Sequence, residues 1–297
     1  MVIASHGRHV WVETDDGRQL ICHPRGKKNE AVVGDRVLWK PSEDEGSIEK
    51  IEERRNLFFR QDEMRSKSFA ANIDQVLILI AAEPEFSEHQ LSRALITAEA
   101  TQIQPLIALN KSDLTELHTK ALVRLAPYRK MGYEVLSLSL KADKALDDLQ
   151  QHLQGKATLV LGPSGAGKST LINRFIPHAQ AETGNISKAL NSGKHTTTHT
   201  RWYWVADDEA GHQQNHTALI DSPGFQEFGL HHIAPEQLAN LMPDLKEHAS
   251  ACRFYNCTHL HEPGCGVIAA VAEDSISPSR YRIYGELHAE LTQPPRY

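Results

Sequence analysis

A chain of 297 residues is long enough for two or three domains, and its 40% hydrophobic and 24% charged residues are typical of a soluble globular protein. The longest apolar run, residues 76–82, is far too short to cross a bilayer, and the N-terminus lacks the pattern of a signal peptide, so we expect a cytoplasmic protein without a membrane partner. A net charge of −6 does not indicate a general nucleic-acid binder, so any contact with RNA would be local.

The N-terminal part of the chain alternates short β-rich runs with turn signals. The runs cover residues 8–14, 18–24, 35–41 and 47–53. Period-2 alternation broken by Gly and Asp predicts a small β-barrel, and about five short strands favour an OB-like barrel over a larger sandwich. A small β-domain with only a scaffolding role is the alternative.

A different pattern begins near residue 72, where apolar strand-like runs alternate with helical stretches. The strand-like runs cover residues 75–83, 105–113, 133–140, 157–164, 200–208 and 216–224, and two helical stretches cover residues 89–102 and 116–131. Unbroken Val, Ile and Leu runs between helices predict a mainly parallel sheet that is covered on both faces. After about residue 230 the pattern predicts helix-like segments, so we expect a multi-domain α/β protein.

A phosphate-binding loop is indicated by GPSGAGKST, which matches G-x-x-x-x-G-K-[ST] at every fixed position. Its residues are Gly162, Pro163, Ser164, Gly165, Ala166, Gly167, Lys168, Ser169 and Thr170. The loop follows an apolar strand and opens a helical stretch, so backbone N–H groups and a helix N-terminus would face the phosphates. Lys168 would neutralise the β- and γ-phosphates and act in catalysis, while the Ser169 hydroxyl would bind Mg²⁺. A glycine-rich turn that matches by chance is the alternative.

The guanine-reading element N-K-x-D is matched by Asn110, Lys111 and Asp113 at the end of an apolar strand. Guanine presents two donors on one edge, and a single carboxylate accepts both, whereas adenine lacks this pair. Asp113 is therefore expected to select GTP and GDP. In most GTPases this element follows the phosphate loop, but here it precedes it. Residues 139–141 (Ser-Leu-Lys), near the next strand end, are a candidate second base-contacting loop.

Switch elements are expected downstream of the phosphate loop. Asp221 and Gly224 fit D-x-x-G, in which the aspartate reaches Mg²⁺ through water and the glycine N–H meets the γ-phosphate. An ordinary β-turn containing Pro and Gly is the alternative. Between the two elements lies the polar segment GKHTTTH, where Thr197, or Thr196 in its place, would complete the Mg²⁺ shell.

The residue after Gly224 is Phe225, so the glutamine that orients the attacking water in Ras-like GTPases is missing. His195 is the best available substitute, because an imidazole accepts or donates a hydrogen bond near neutral pH. A solvated loop histidine is the competing interpretation. We expect slow intrinsic hydrolysis that needs a partner to align the site.

A metal cluster is indicated by Cys252, Cys257, His259 and Cys265, which supply three thiolates and one imidazole within 14 residues. Four such ligands close a tetrahedral Zn²⁺ shell and leave no position for a substrate, so one structural zinc per chain is expected. His261 is a possible substitute ligand, and four reduced side chains without a metal are the alternative.

Taken in this order, the motifs resemble those of the circularly permuted, ribosome-associated GTPases of bacteria. NKSD, GPSGAGKST, GKHTTTH, DSPGF and the Cys/His cluster follow one another over essentially the whole chain. The resemblance implies an OB-fold in residues 1–70, a permuted P-loop GTPase domain in 71–230 and a helical zinc-binding domain in 231–297. Phe225 matches the family's hydrophobic replacement for glutamine, and His195 matches the histidine of its Gly-Arg/Lys-His-Thr-Thr loop.

The resemblance further implies a role late in maturation of the small ribosomal subunit, which stimulates GTP hydrolysis before the protein leaves. The expected partners are GTP and GDP, the small (30S) subunit and its 16S rRNA, and the chain is expected to be a monomer. Local RNA contacts are suggested by interleaved basic and aromatic side chains. These are Arg54, Arg55, Phe58, Phe59, Arg60, Arg65 and Lys67. A solvated linker with two core phenylalanines is the alternative.

Two other functions are weighed against this one. A P-loop kinase or ATPase acting on a small substrate is disfavoured by the N-K-S-D element. An RNA-binding protein with zinc and OB modules, whose nucleotide site has lost activity, is disfavoured by the intact Lys168, Ser169 and Asp221.

Overall fold

The computed structural model describes residues 1–6, 9–24, 30–42, 45–142, 144–177, 179, 199–205, 216–223 and 228–293. The strands are β1 (Val2–His6), β2 (His9–Glu13), β3 (Gln19–Pro24), β4 (Val37–Ser42), β5 (Glu45–Ile51), β6 (Leu57–Gln61), β7 (Ser66–Ala71), β8 (Gln75–Ala81), β9 (Gln104–Asn110), β10 (Val135–Ser137), β11 (Ala157–Leu161), β12 (Arg201–Trp204) and β13 (Ala218–Asp221). The α-helices are α1 (Glu88–Thr101), α2 (Thr115–Lys130), α3 (Lys144–Leu153), α4 (Lys168–Phe175), α5 (Pro243–Ala249), α6 (Gly266–Ala272) and α7 (Pro278–Thr292). Within these described ranges, no helix is both long and apolar enough to span a membrane.

The central sheet has the order β10-β9-β8-β11-β13-β12, and its first five strands are parallel. Strand β12 pairs antiparallel with β13. Alternate residues of β8 point to opposite faces, so Val76 and Ile78 pack with residues of α1 and α2, while Leu77 and Leu79 pack with residues of α3 and α4. Because helices cover both faces, the strands are apolar throughout, which confirms the predicted parallel α/β sheet.

The N-terminal strands follow the order β1-β2-β3-β5-β4, with β3 and β5 parallel. The segment ahead of β4 returns to β1, since Val2 N–H donates to Asp35 O and Gly34 N–H donates to Val2 O, both at 2.8 Å. Cys22 and Ile48 are among the apolar side chains packed inside. These contacts close a small five-stranded barrel, as the alternation in the sequence predicts; its assignment to the OB-fold class stays a prediction.

A two-stranded hairpin, β6–β7, connects the barrel to the central sheet and is fixed by aromatic packing. Phe58 and Phe69 are buried, and both rings lie 5.8 Å from the ring of Phe228. Arg54, just ahead of the hairpin, forms a two-pronged ion pair with the buried Asp35. Strand alternation turns Phe58 inward, so this ring stabilises the core and is not available for the RNA contact suggested by the sequence. Arg54 stabilises the fold through its ion pair with Asp35.

The C-terminal helices dock on the central domain through a buried polar network. Arg280 on α7 is 2% exposed and donates to the Asp244 carboxylate of α5 at 2.8 and 3.1 Å. Its third contact is a 2.7 Å hydrogen bond to the Ser92 hydroxyl on α1. Its guanidinium also lies 5.2 Å from the centre of the Tyr128 ring. The helical character predicted after residue 230 is thus confirmed, and one arginine joins α5 and α7 to α1 and α2.

Candidate nucleotide site and metal centre

The predicted nucleotide residues meet at one edge of the central sheet. Because β8, β9, β11 and β13 are parallel, their carboxyl ends lie on the same side. Asn110 ends β9, the loop 162–167 connects β11 to α4, and Asp221 ends β13 in register with Val160. In sequence, Asn110 precedes the phosphate loop by about fifty residues; in space, only β8 separates their strands.

Close backbone approaches explain two glycines of the phosphate loop. A Cβ on Gly162 would lie 2.1 Å from Leu79 O of the neighbouring strand β8. Gly167 has φ +109° at the start of α4, and a Cβ there would lie 2.5 Å from Asn110 Nδ2. Larger residues would push the loop away from both neighbouring strands. Ser169 and Thr170 are exposed in the first turn of α4, beside its unpaired backbone N–H groups.

Lys168 lies folded back along the loop. Its ammonium group donates to Gly162 O at 2.5 Å and to Pro163 O at 3.3 Å. Burial lowers the pKa of Lys168, whereas the nearby Asp221 carboxylate raises it, and burial dominates. The loop thus holds a partly buried cation close to Asp221, an arrangement suited to a polyanion.

Asn110 ties the guanine element to the phosphate loop. Its side chain is 4% exposed, and its Nδ2 group donates to Ala166 O at 2.8 Å. Its Oδ1 atom accepts from the N–H groups of Lys111 (2.7 Å) and Leu140 (3.1 Å). One buried amide therefore connects three segments, and Lys111, with φ +66°, turns the chain directly afterwards.

Asp113 lies at the rim of this edge with both carboxylate oxygens engaged. Ser139 Oγ donates to its Oδ1 at 2.8 Å, and Lys141 Nζ donates to its Oδ2 at 3.1 Å. These two partners, Ser139 first, lower the pKa of Asp113. The segment 139–141 thus lies against the guanine element, and its contact with a base stays a prediction.

Several predicted residues fall beyond the part of the chain that the structure describes. They are Gly224, Phe225, His195, Thr196 and Thr197. Their predicted roles rest on the sequence alone.

The Cys/His residues form one compact cluster in which the ligand atoms of Cys252, Cys257, His259 and Cys265 lie within 4.8 Å of one another. Cys252 Sγ and Cys265 Sγ are 3.8 Å apart, and His259 Nδ1 lies 3.4 and 3.5 Å from them. Tetrahedral zinc, with bonds of about 2.3 Å to sulfur and about 2.0 Å to nitrogen, separates two sulfurs by about 3.8 Å and a sulfur from a nitrogen by about 3.5 Å. The spacing is therefore compatible with zinc.

Burial shifts the pKa values of two residues of the cluster. Burial raises the pKa of the Cys257 thiol to about 12, so a thiolate there at neutral pH requires a positive neighbour. Burial lowers the pKa of His259, which favours the neutral imidazole that binds metals. His261, the possible substitute ligand, is exposed and lies outside the four-residue cluster.

The ligand loop is held by side chains that the sequence did not single out. Glu262 accepts from the Thr258 backbone N–H at 2.8 Å and hydroxyl at 2.6 Å, and these bonds lower its pKa despite partial burial. Tyr281 and Tyr284 on α7 donate to the carbonyls of His259 and Thr258 at 2.7 and 2.6 Å. No spacing rule marks these residues, since each acts through a backbone group made available by the fold.

A parallel sheet with a phosphate loop, a guanine element beside it and a D-x-x-G strand next to it defines a P-loop GTPase fold. Here the strand bearing the guanine element comes before the phosphate loop in the chain, which makes the fold circularly permuted.

Comparisons with known proteins agree with this class. The family model described as RsgA GTPase matches residues 51–231. A Variovorax paradoxus protein named "Small ribosomal subunit biogenesis GTPase RsgA" is 69% identical, over 99% of this chain and 92% of its own. A protein of the same name from Paraburkholderia phytofirmans is 50% identical, over 99% and 93% of the two chains. The chain therefore belongs to the RsgA GTPase family.

Solved structures show the same fold. The crystal structure of YjeQ from Thermotoga maritima aligns with a TM-score of 0.74 at 28% identity, over 99% of this chain and 98% of that one. The structure of YloQ, described as a circularly permuted GTPase, aligns with a TM-score of 0.71 at 29% identity, over 100% and 96% of the chains. The permuted order inferred from the sequence is thus confirmed.

Proposed function

We propose that this chain is a GTPase that binds the small ribosomal subunit late in its maturation, hydrolyses GTP to GDP and phosphate with stimulation by the subunit, and then dissociates. The observation that carries the nucleotide part is the hydrogen bond from Asn110 to Ala166 O, because it joins a guanine-type motif to a phosphate loop. The name of the 69% identical relative supports the ribosomal part.

Asp113 is proposed to read guanine. Its carboxylate is exposed and accepts one hydrogen bond on each oxygen, from Ser139 and Lys141. The remaining lone pairs would accept from the N1–H and the amine of the base. Asn110 sets the height of the base over the phosphate loop, and the Lys111 stem lies along the ring plane. The nucleotide-binding set comprises Asn110, Lys111, Asp113, residues 162–170, Asp221 and Gly224.

Lys168 is proposed to bind the β- and γ-phosphates, aided by the N–H groups of the loop and of α4. Ser169 and Asp221 offer hard oxygen donors at one sheet edge, which fits Mg²⁺, and Thr197 or Thr196 would complete the set. When bound with GTP, Mg²⁺ supplies charge that offsets the charge developing on the phosphate oxygens. The Gly224 N–H would hold the γ-phosphate, which positions it for attack by water.

His195 is proposed to orient the attacking water, since Phe225 occupies the usual glutamine position. This role predicts that His195→Ala lowers stimulated turnover with little change in nucleotide affinity. An equal loss of both would assign a structural role instead.

Zinc is proposed as a structural ion. Cys252, Cys257, His259 and Cys265 fill all four tetrahedral positions, so the site orders the loop between α5 and α6 and leaves no position for a reactant.

The proposed partners are GTP and GDP, the 30S subunit and its 16S rRNA, and the chain is proposed to act as a cytoplasmic monomer. The proposed units are an OB-fold (1–70), the GTPase domain (71–230) and the zinc domain (231–297). Arg65 and Lys67 remain exposed on the hairpin, which supports a local phosphate contact.

A turnover assay with and without purified small subunits tests the proposal. We expect slow GTP hydrolysis alone and a clear rise with subunits, and failure of subunits to raise turnover would favour an inactive RNA-binding protein. Competition against bound GDP tests the base: ATP displacing it as well as GTP does would favour a kinase or ATPase.

A further inference from the structure

The loop between β8 and α1, residues 82–87, lies directly against the phosphate loop. A Cβ on Gly165 would lie 3.2 Å from Pro84 Cδ and 3.4 Å from Pro84 Cγ, so the proline ring abuts this glycine. The loop is also tied to the guanine element, because Ala82 N–H donates to Asn110 O at 3.0 Å. It therefore touches both halves of the proposed nucleotide site.

A single arginine fastens this loop from the opposite side. Arg124 Nη1 donates to Glu85 Oε1 at 2.6 Å, Nη2 to Phe86 O at 3.0 Å and Nε to Glu88 Oε1 at 2.9 Å. Its guanidinium also lies 4.4 Å from the centre of the Phe86 ring, which is itself 3% exposed. All three guanidinium nitrogens thus bind the loop and the first residue of α1, a geometry that a lysine cannot reproduce.

The position of Arg124 on α2 connects the loop 82–87 to the guanine element. Arg124 lies on α2, which starts at Thr115, two residues after Asp113. A displacement of α2 would therefore move Asp113, which lies just ahead of the helix. It would also move the phosphate loop, through the contacts of Arg124 with loop 82–87 and of Pro84 with Gly165. Since close-packed interiors transmit small displacements, the two ends of the nucleotide site share one support.

We propose that Arg124 is a positioning residue, which holds loop 82–87 against Gly165 and so fixes the phosphate loop relative to the guanine element. The inference rests on the proposed nucleotide site. Arg124 touches neither base nor phosphate, and it acts through Phe86 and Pro84.

The test compares Arg124→Met with wild type in the full-length, zinc-loaded protein. We expect the Kd for fluorescent GDP to rise about tenfold, the scale of lost charge-assisted hydrogen bonds. Amide hydrogen exchange at residues 165–167 of the nucleotide-free protein should accelerate, while β9 stays protected. Arg124→Lys should recover only part of the affinity. Lys120→Met, which removes an exposed cation one turn earlier on α2, should change the Kd less than twofold.

Pro84→Ala gives a second measurement, because it removes the proline ring that contacts Gly165 and keeps Arg124 itself. Its loss of affinity should not add to that of Arg124→Met in the double variant, since both act on one contact chain. An unchanged Kd for GDP in Arg124→Met overturns the proposal. Lowered thermal stability with unchanged amide exchange at residues 165–167 overturns it as well. If Arg124→Met does not fold, the GDP affinities of Arg124→Lys and Pro84→Ala provide the test. Wild type that fails to bind GDP overturns the proposed function itself, which separates the two failures.

Discussion

At the scale of one residue, the proposed guanine-reading role of Asp113 can be tested by changing which base its side chain matches. Asparagine at this position offers one acceptor and one donor, which matches xanthine, whose C2 carbonyl replaces the amine of guanine. Asp113→Asn should therefore weaken GDP binding by about 10- to 100-fold and strengthen xanthosine diphosphate binding. Titrations with fluorescent GDP and xanthosine diphosphate measure both changes.

The matched control for this substitution is Asp147→Asn, an exposed aspartate on α3. It should leave both affinities unchanged. Unaltered GDP binding in Asp113→Asn would show that Asp113 serves only Ser139 and Lys141 and does not read the base.

In the absence of nucleotide, the buried charge of Lys168 is expected to lower the free energy of unfolding of the protein. Burial lowers its pKa below that of an unfolded lysine, so between the two values the unfolded chain binds more protons and stability rises with pH. Below this window the charged form carries the full burial cost. At neutral pH, nucleotide-free Lys168→Met should thus be at least as stable as wild type, while its GDP affinity falls by about 10- to 100-fold.

Urea unfolding at neutral and alkaline pH measures this effect. Wild type should gain stability relative to Lys168→Met as the pH rises through the lowered pKa of Lys168 towards the ordinary lysine value. A variant clearly less stable than wild type at neutral pH would mean that the bonds to Gly162 O and Pro163 O outweigh the burial.

At the scale of elements, the segment between α5 and α6 is held by the Cys/His cluster, by Glu262 and by two tyrosines of α7. Zinc binding by such segments contributes directly to their folding. The loop contains two histidines: His259 is buried and faces the sulfurs, whereas His261 is exposed. His259→Ala should lose stoichiometric zinc, whereas His261→Ala should retain it, as measured by metal analysis and circular dichroism.

The zinc contents of these two variants and of the wild type distinguish the possible ligand sets of the cluster. Equal zinc in both variants would mean that His261 can replace His259 as a ligand. Absence of zinc from carefully prepared wild type would favour a cluster of reduced side chains.

For the whole molecule, the features that can be predicted from the sequence are those set by a local pattern of apolar and polar residues. The apolar runs stop at Asn110 and Asp221, which predicts strand ends there, and their position at one sheet edge follows from parallel pairing. Contacts between distant segments leave no such pattern. Arg124 has the spacing of an ordinary surface residue of a helix, and the pairing of Ala4 with Arg201, which joins barrel and central sheet, spans almost two hundred residues.

The barrel, the β6–β7 hairpin and the central sheet come into close contact at Gly34. Its φ is +93°, and a Cβ there would lie 2.0 Å from Ala71 O of β7 and 3.2 Å from the Trp202 ring of β12. Gly132 has nearly the same φ, +91°, with no atom within 4 Å of such a Cβ. Alanine at Gly132 should therefore cost about 1–2 kcal/mol for the left-handed backbone alone.

Gly34→Ala should cost more, about 2–5 kcal/mol, because overpacking adds to the same backbone penalty. Two of the three segments that meet at Gly34 hydrogen-bond there, since Ala71 N–H donates to Val33 O and Asn72 Nδ2 donates to Gly34 O. Chemical unfolding of both variants isolates the clash, as the two glycines differ in surroundings and not in φ. Equal destabilisation would mean that the barrel moves freely against the hairpin, whereas a larger loss for Gly34→Ala shows that packing at this one backbone position holds barrel and central sheet together.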